Sequence, residues 1–337
     1  MTLPHIIRLA AGAGLRLALL LAFVAAVAFT LMKLSPVDPI DAYLGPAIAQ
    51  AGPEQRERIA SAWGLDQPAP VQFARWATRL LSGDLGWSTA YAAPVSHVLI
   101  ERGLPSLLLT VPAWLLSGVV GFALGLLAGS REGSMLDRTL RLGAYVAASS
   151  PSFWVAILLL SLFSVALRWT PLCCAGPIGV VPGEVTALQR LHHLALPLLV
   201  LSLIGVSQVA LHTRAKVAEI MRSDFVLLAR AQGASLSDIL LRHVARNAAL
   251  PAIAILFASI GEILGGAILA ETVFSYPGLG RAALEAALKG DVPLLLAITL
   301  LATLVVSTGN RLGDLASRLL DPRTRLGEHR LSDRTPA

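Results

Sequence analysis

Long apolar stretches alternate with polar ones along this chain, at roughly 17–34, 105–129, 142–168, 191–212, 250–272 and 293–317. Each is close to or longer than the ~20 residues a helix needs to cross a hydrocarbon layer about 30 Å thick. Barrel strands fit poorly, because they alternate in polarity and span only about ten residues each. The pattern predicts an all-α integral membrane protein with six transmembrane helices. It divides the chain into an N-terminus with the first span (1–34), a long polar loop (35–104), a membrane core (105–317) and a tail (318–337). Within the core, 214–249 is polar and amphipathic.

Composition supports this reading. Hydrophobic residues make up 55% of the 337 residues and charged residues 14%, against about a quarter charged in soluble domains. The net charge of +6 would also suit a nucleic-acid binder. In a membrane protein it marks the cytoplasmic side, where Lys and Arg collect. Arg8 and Arg16 flank the first span, and Arg131, Arg138 and Arg141 follow the second. Arg214, Lys216, Arg222, Arg230, Arg242 and Arg246 lie in or beside 214–249, and the tail adds Arg318, Arg323, Arg325, Arg330 and Arg334. The gap 169–190 holds only Arg190, and 273–292 only Arg281 and Lys289. Both termini and 214–249 are therefore expected in the cytoplasm, with no nucleic acid as partner. Ala26-Val27-Ala28 after the first apolar run also fits a signal-peptide cleavage site, which leaves the later topology unchanged.

The polar stretch has its own order. Ser235 and Ser237 precede the apolar positions Ile239, Leu240, Val244 and Leu250, as at a helix start where a serine accepts from free amides. Gly233 suits a turn between two short helices. Such an amphipathic pair either rests on a membrane surface or lays its apolar face in a partner's groove. Both readings stand on physics alone.

Asp224-Phe225-Val226-x-x-Ala229-Arg230-Ala231-Gln232-Gly233, followed by Leu241-Arg242-His243-x-x-Arg246-Asn247-x-x-x-Pro251, resembles the cytoplasmic coupling loop of ABC importer permeases of the dipeptide/oligopeptide/nickel branch. Ser35-Pro36-Val37-Asp38-Pro39, Gly64-Leu65-Asp66-Gln67-Pro68, Gly83-Asp84-Leu85-Gly86-x-Ser88, Glu271 to Gly280, and Leu320-Asp321-Pro322-Arg323-x-Arg325 are similar to further motifs of that branch, in the same order. The resemblance implies a type I importer permease fold with a cytoplasmic coupling helix, in a bacterial inner membrane. Ala229, Arg230, Ala231, Gln232, Gly233, Ala234, Ser235, Asp238, Arg242 and His243 would then couple to an ATPase. It also implies two separate ABC ATPase subunits holding ATP and Mg, a second homologous permease, and a periplasmic or lipoprotein binding protein. The chain itself would bind no cofactor and catalyse no reaction; it has no G-x-x-x-x-G-K-[ST] phosphate loop. Transport would proceed by alternating access, of peptides or of nickel and opine-type metal chelates. The pattern departs at Leu227 and Leu228, where the wider family has Glu and Ala, and at Gln232, where this branch usually has Lys. A less charged docking surface follows.

Other residues bear on mechanism. Glu262 sits mid-span, where a carboxylate is costly; it either lines the translocation path, together with Glu271, or packs between helices. Cys173-Cys174 and His192-His193 suit soft metals, but adjacent ligands converge poorly on one ion, so ordinary loop residues and no metal site are expected. The adjacent cysteines also provide no disulfide framework. Gly118, Gly121, Gly125 and Gly129, and again Gly261 and Gly265, predict close helix packing. Ser149-Ser150-Pro151 predicts a kink in the third span. Arg56, Arg58 and Trp63 suggest an amphipathic interfacial helix. An intramembrane enzyme would need paired ionisable groups within the spans, and a channel or receptor would leave the coupling-loop pattern unexplained.

Overall fold

Caps and prolines set the helix boundaries. The computed structural model describes residues 3–36, 38–44, 52–181 and 183–320, except for the side chains of 3–11, Pro39, Ala42, Tyr43, Trp63 and 318–320. The tail motif after Leu320, Val37, and the Trp63 side chain therefore lie outside the described residues. The chain runs through α1 (Leu3–Leu34), α2 (Pro39–Leu44), α3 (Pro53–Trp63) and α4 (Ala69–Leu81). A two-residue antiparallel ribbon follows, β1 (Trp87–Ser88) against β2 (Ala93–Pro94). Then come α5 (Val95–Ser130), α6 (Met135–Ser149), and α7 (Ser152–Leu159) extended by a π-helical turn at Leu160–Ala166. After a loop come α8 (Ala187–Met221) and α9 (Asp224–Ala231). Next, α10 (Leu236–Asp238) passes through a π-helical stretch, Ile239–Val244, into α11 (Ala245–Ala258). The described residues close with α12 (Ile260–Val273), α13 (Leu279–Leu288) and α14 (Val292–Leu320).

Among the described residues, five helical stretches are long and apolar enough to cross a membrane: Gly12–Leu34, Val95–Ser130, Ala187–Met221, Leu236–Ala258 and Val292–Ser317. A sixth is present if α6 and the α7 stretch count as one span, but they meet at 107°. The expected kink is thus a right-angle turn. Pro151 offers no amide donor, and it drives Ser150 out of the helical region to φ −86°, ψ 134°, as a residue before proline prefers. The fifth apolar segment also differs from expectation. Its helix starts at Leu236 and stops at Ala258, and α12 restarts after Ser259. At 14 residues, α12 spans only about 21 Å.

The chain forms two compact units, Met1–Ser106 with Pro277–Ser307, and Leu107–Tyr276 with Thr308–Ala337. In the first, Phe29 of α1 packs at a tilt against Phe73 of α4 with centroids 5.2 Å apart. Asp38 accepts from the Ile40 amide at 2.8 Å and pairs with Arg56 at 3.3 Å. Val95, Val98, Ala282, Ala286, Leu294 and Ala297 make a core among α5, α13 and α14. Beside it the buried Asp291 carboxylate accepts from Ser88 Oγ at 2.6 Å and from the Ala90 amide at 3.0 Å. This anchors the Gly83–Ser88 motif, whose Gly83 and Gly86 take φ of +86° and +85°.

In the second unit α8 is central, and a capping box between Thr186 and Gln189 opens it. Gly121, Gly125 and Gly129 of α5 lie so close to α8 that an added Cβ would stand 2.7, 2.5 and 2.6 Å from Val209, Thr213 and Val217. Gly118 meets Leu256 in the same way. The α5 glycine stripe is a packing seam, as small residues in apolar helices allow. Gly265, by contrast, faces open space, and its neighbour Gly266 approaches Leu201. Gly205, Gly309 and Gly313 are further close contacts, against Ser117, Ile260 and Phe257.

Candidate functional site

The loop between α8 and α11 is built on a small core of its own. Val217, Ile220 and Met221 at the end of α8 pack with Val226, Ala229, Ile239, Val244 and Ala248. α9 turns Val226 and Ala229 inward, and the π-helical stretch adds Ile239 and Val244. Gly233 makes the turn at φ +84°, a left-handed conformation that costs other residues about 1–2 kcal/mol. Ser235 then opens the next helix by accepting from the Asp238 amide at 3.2 Å. Asp238 pairs with Arg242 at 2.8 Å, and Asn247 donates to the His243 carbonyl at 2.7 Å.

Among the coupling-loop residues read from the sequence, Arg230, Ala231, Gln232, Gly233, Ser235, Arg242 and His243 are exposed. Ala234 and Asp238 are half-buried, and Ala229 faces the loop's own core. The motif thus mixes residues that display with residues that support. The less charged surface read from Leu227 and Leu228 extends to an apolar exposed set. Leu227 and Leu228 are 53% and 59% exposed, and Phe225, Leu236 and Leu241 are exposed too. The signal was present, since the two leucines replace Glu and Ala.

A ladder of charges holds the base of this loop. Asp137, fully buried in the first turn of α6, accepts from Arg214 Nε and Nη2 at 2.8 and 2.7 Å and from the Gly133 amide at 2.9 Å. Arg214 also approaches Glu132 at 3.6 Å, and Glu132 pairs with Arg222, the residue after α8. The Arg222 hydrogen bond holds the Glu132 carboxyl below the usual carboxylate range. Ser134, which caps α6 by accepting from the Asp137 amide, gave a Ser-x-x-Asp start signal in the sequence. The partner Arg214 had no such local mark.

The remaining candidates separate. Glu262 is exposed on α12 and makes no hydrogen bond or ion pair among the described residues. Glu271 is fully buried. They lie on different faces of one short helix. Cys173 and Cys174 are bonded to each other. A ring closed within two residues staples no separate elements, so it forms no framework. His192 Nε2 and His193 Nδ1 each meet a carbonyl, of Trp169 at 2.8 Å and of Cys173 at 2.9 Å. Among the described residues no three His, Cys, Asp or Glu side chains converge as a metal-binding group.

Comparison with known proteins places these features in one context. The family model described as binding-protein-dependent transport system inner membrane component matches residues 121–326. The oligopeptide transport system permease protein AppB of Bacillus subtilis (strain 168) is 31% identical over 88% of this chain and 92% of its own length. A Brucella suis biovar 1 (strain 1330) protein named as a peptide permease is 35% identical over 95% of this chain and 98% of its own. The peptide ABC transporter permease protein y4tP of Sinorhizobium fredii is 33% identical over 88% and 92%. The matched region includes the loop, its charged base and the broken helices around Pro151 and Ser259. The chain therefore belongs to the family of binding-protein-dependent transport system inner membrane components, as a multi-pass transmembrane permease subunit of an ABC importer and not an enzyme.

Proposed function

We propose that this permease carries peptides, and that the loop from Ser223 to Val244 is where an ATPase subunit docks. ABC permeases work with ATPase and substrate-binding components; here we assign two ATPases, which hold ATP and Mg, a second homologous permease, and a periplasmic or lipoprotein binding protein. The observation that carries the reading is the loop's two-sided build, an apolar core beneath and exposed Leu227, Leu228, Leu236 and Leu241 above. Exposed apolar residues grouped in this way mark an interface. Arginine asymmetry favours a cytoplasmic loop and cytoplasmic termini, in a bacterial inner membrane. Peptide as cargo rests on the names of the relatives. Alternating access would use α12, whose Glu262, Gly265, Leu269 and Thr272 lie along one exposed face.

The test is ATP-dependent uptake of labelled peptides by the reconstituted transporter, wild type against Gly233→Trp. An added side chain at Gly233 meets open space and its left-handed φ costs only about 1–2 kcal/mol, so the permease should still insert, while ATPase retention and peptide uptake fall at least tenfold. Full uptake by Gly233→Trp removes the docking assignment. Uptake of no peptide by the wild-type transporter removes the cargo.

A further inference from the structure

We infer that a cavity between α6 and α8 is a binding site for an anionic glycerophospholipid. The cavity is partly open and holds about 280 Å³ beside the end of α5. Leu124, Leu140, Ala144, Val206 and Ala210 are among its walls. Its polar neighbours are almost all committed elsewhere. The Thr139 and Ser207 hydroxyls donate to carbonyls of their own helices, of Met135 at 3.0 Å and Leu203 at 2.8 Å. Arg214 is held by Asp137. Arg141 lines the cavity; its charge acts on Asp137, but its side chain makes no hydrogen bond or ion pair among the described residues. Arg138, one turn away, is exposed.

The occupant follows from this chemistry. Water needs two to four polar partners in a cavity, and these walls offer almost none. A peptide or a soluble anion would likewise leave its polar groups unsatisfied inside. A protein helix, about 10 Å across, is too wide for the volume. A stretch of acyl chain needs no partner, and the volume is several times the roughly 30 Å³ of a water. At the charged end, Arg141 and Arg138 suit a phosphate-bearing headgroup with net negative charge, as basic pockets between membrane helices do. The site uses none of the docking-loop residues and stands apart from the transport reading.

The experiment is native mass spectrometry of the detergent-purified transporter complex, titrated with phosphatidylglycerol or with phosphatidylcholine of the same chains. Wild type should bind phosphatidylglycerol more tightly. Arg141→Gln should weaken phosphatidylglycerol about fivefold, the equivalent of about 1 kcal/mol, and leave phosphatidylcholine unchanged. Ala144→Trp, which fills the cavity, should weaken both. If that variant fails to assemble, Gly143→Leu serves, because an added Cβ there meets nothing within 4 Å. Equal binding of the two lipids by wild type, unchanged phosphatidylglycerol binding in Arg141→Gln, or unchanged binding in the filled cavity would each overturn the site.

Discussion

The loop 222–244 and the ribbon 84–94 both interrupt a largely apolar chain, yet different forces anchor them. The ribbon is tied down by directional bonds. Asp291 accepts from Ser88 and Ala90, and Tyr91 donates to Glu285 at 2.8 Å. Arg281 reaches the same Glu285 at 2.9 Å, and burial with the Glu285 bond pushes the Tyr91 phenol up to about 12. Beyond the Arg222–Glu132 pair at its base, the loop instead rests on apolar contacts among Val226, Ile239, Val244 and the end of α8. Hydrogen bonds fix direction within narrow limits, whereas apolar burial is non-directional. A segment held the second way keeps its contacts through small shifts. The ribbon is built to stay put, and the loop is built to be carried by what touches it.

The sharpest way to break this contrast is Asp291→Ala. It leaves the Ser88 hydroxyl and the Ala90 amide without their acceptor, and removes the bond from the Leu294 amide. A loss of about 3 kcal/mol is expected, read as a lower thermal unfolding midpoint, with partial recovery in Asp291→Asn. A change within about 0.5 kcal/mol would mean that the ribbon is not polar-locked. Next in size is Val226→Ala, which removes two buried methyl-sized groups and should cost about 2 kcal/mol. Hydrogen exchange should show that loss confined to 222–244, and a uniform loss across the protein would deny the loop its separate core. Smallest in stability is Leu228→Glu, at most about 0.5 kcal/mol because the side chain is exposed. Its effect should appear in partnership, as roughly tenfold less ATPase retained on purification; undiminished retention would show that the exposed leucines are not the docking surface.

Much of this was legible in the sequence, for identifiable reasons. The apolar spans announced themselves by length, Gly233 by the turn it had to make, and the α5 glycine stripe by its spacing. Pro151 was visible as a break, but a proline does not state its angle. Whether the chain bends slightly or turns through 107° depends on what the two halves pack against. Ser259 gave no breaker signal, so 250–272 read as one helix. Glu262 and Glu271 looked alike as acids in an apolar segment, and helix phase relative to the neighbours put one outside and one inside. The Asp137–Arg214 pair joins residues 77 positions apart, which no local pattern encodes.

One consequence of the α5 seam is mechanical. From Pro197, the point in α8 that lacks an amide donor, to Met221 the helix is an unbroken rod of about 36 Å. Gly121, Gly125 and Gly129 bring α5 against that rod at Val209, Thr213 and Val217, bracing it along its length. A lever of this stiffness converts angle into travel. A tilt of about 5° at the loop end would swing the proline end by about 3 Å over that length. The gain lies in the rod, so the loop itself need move very little.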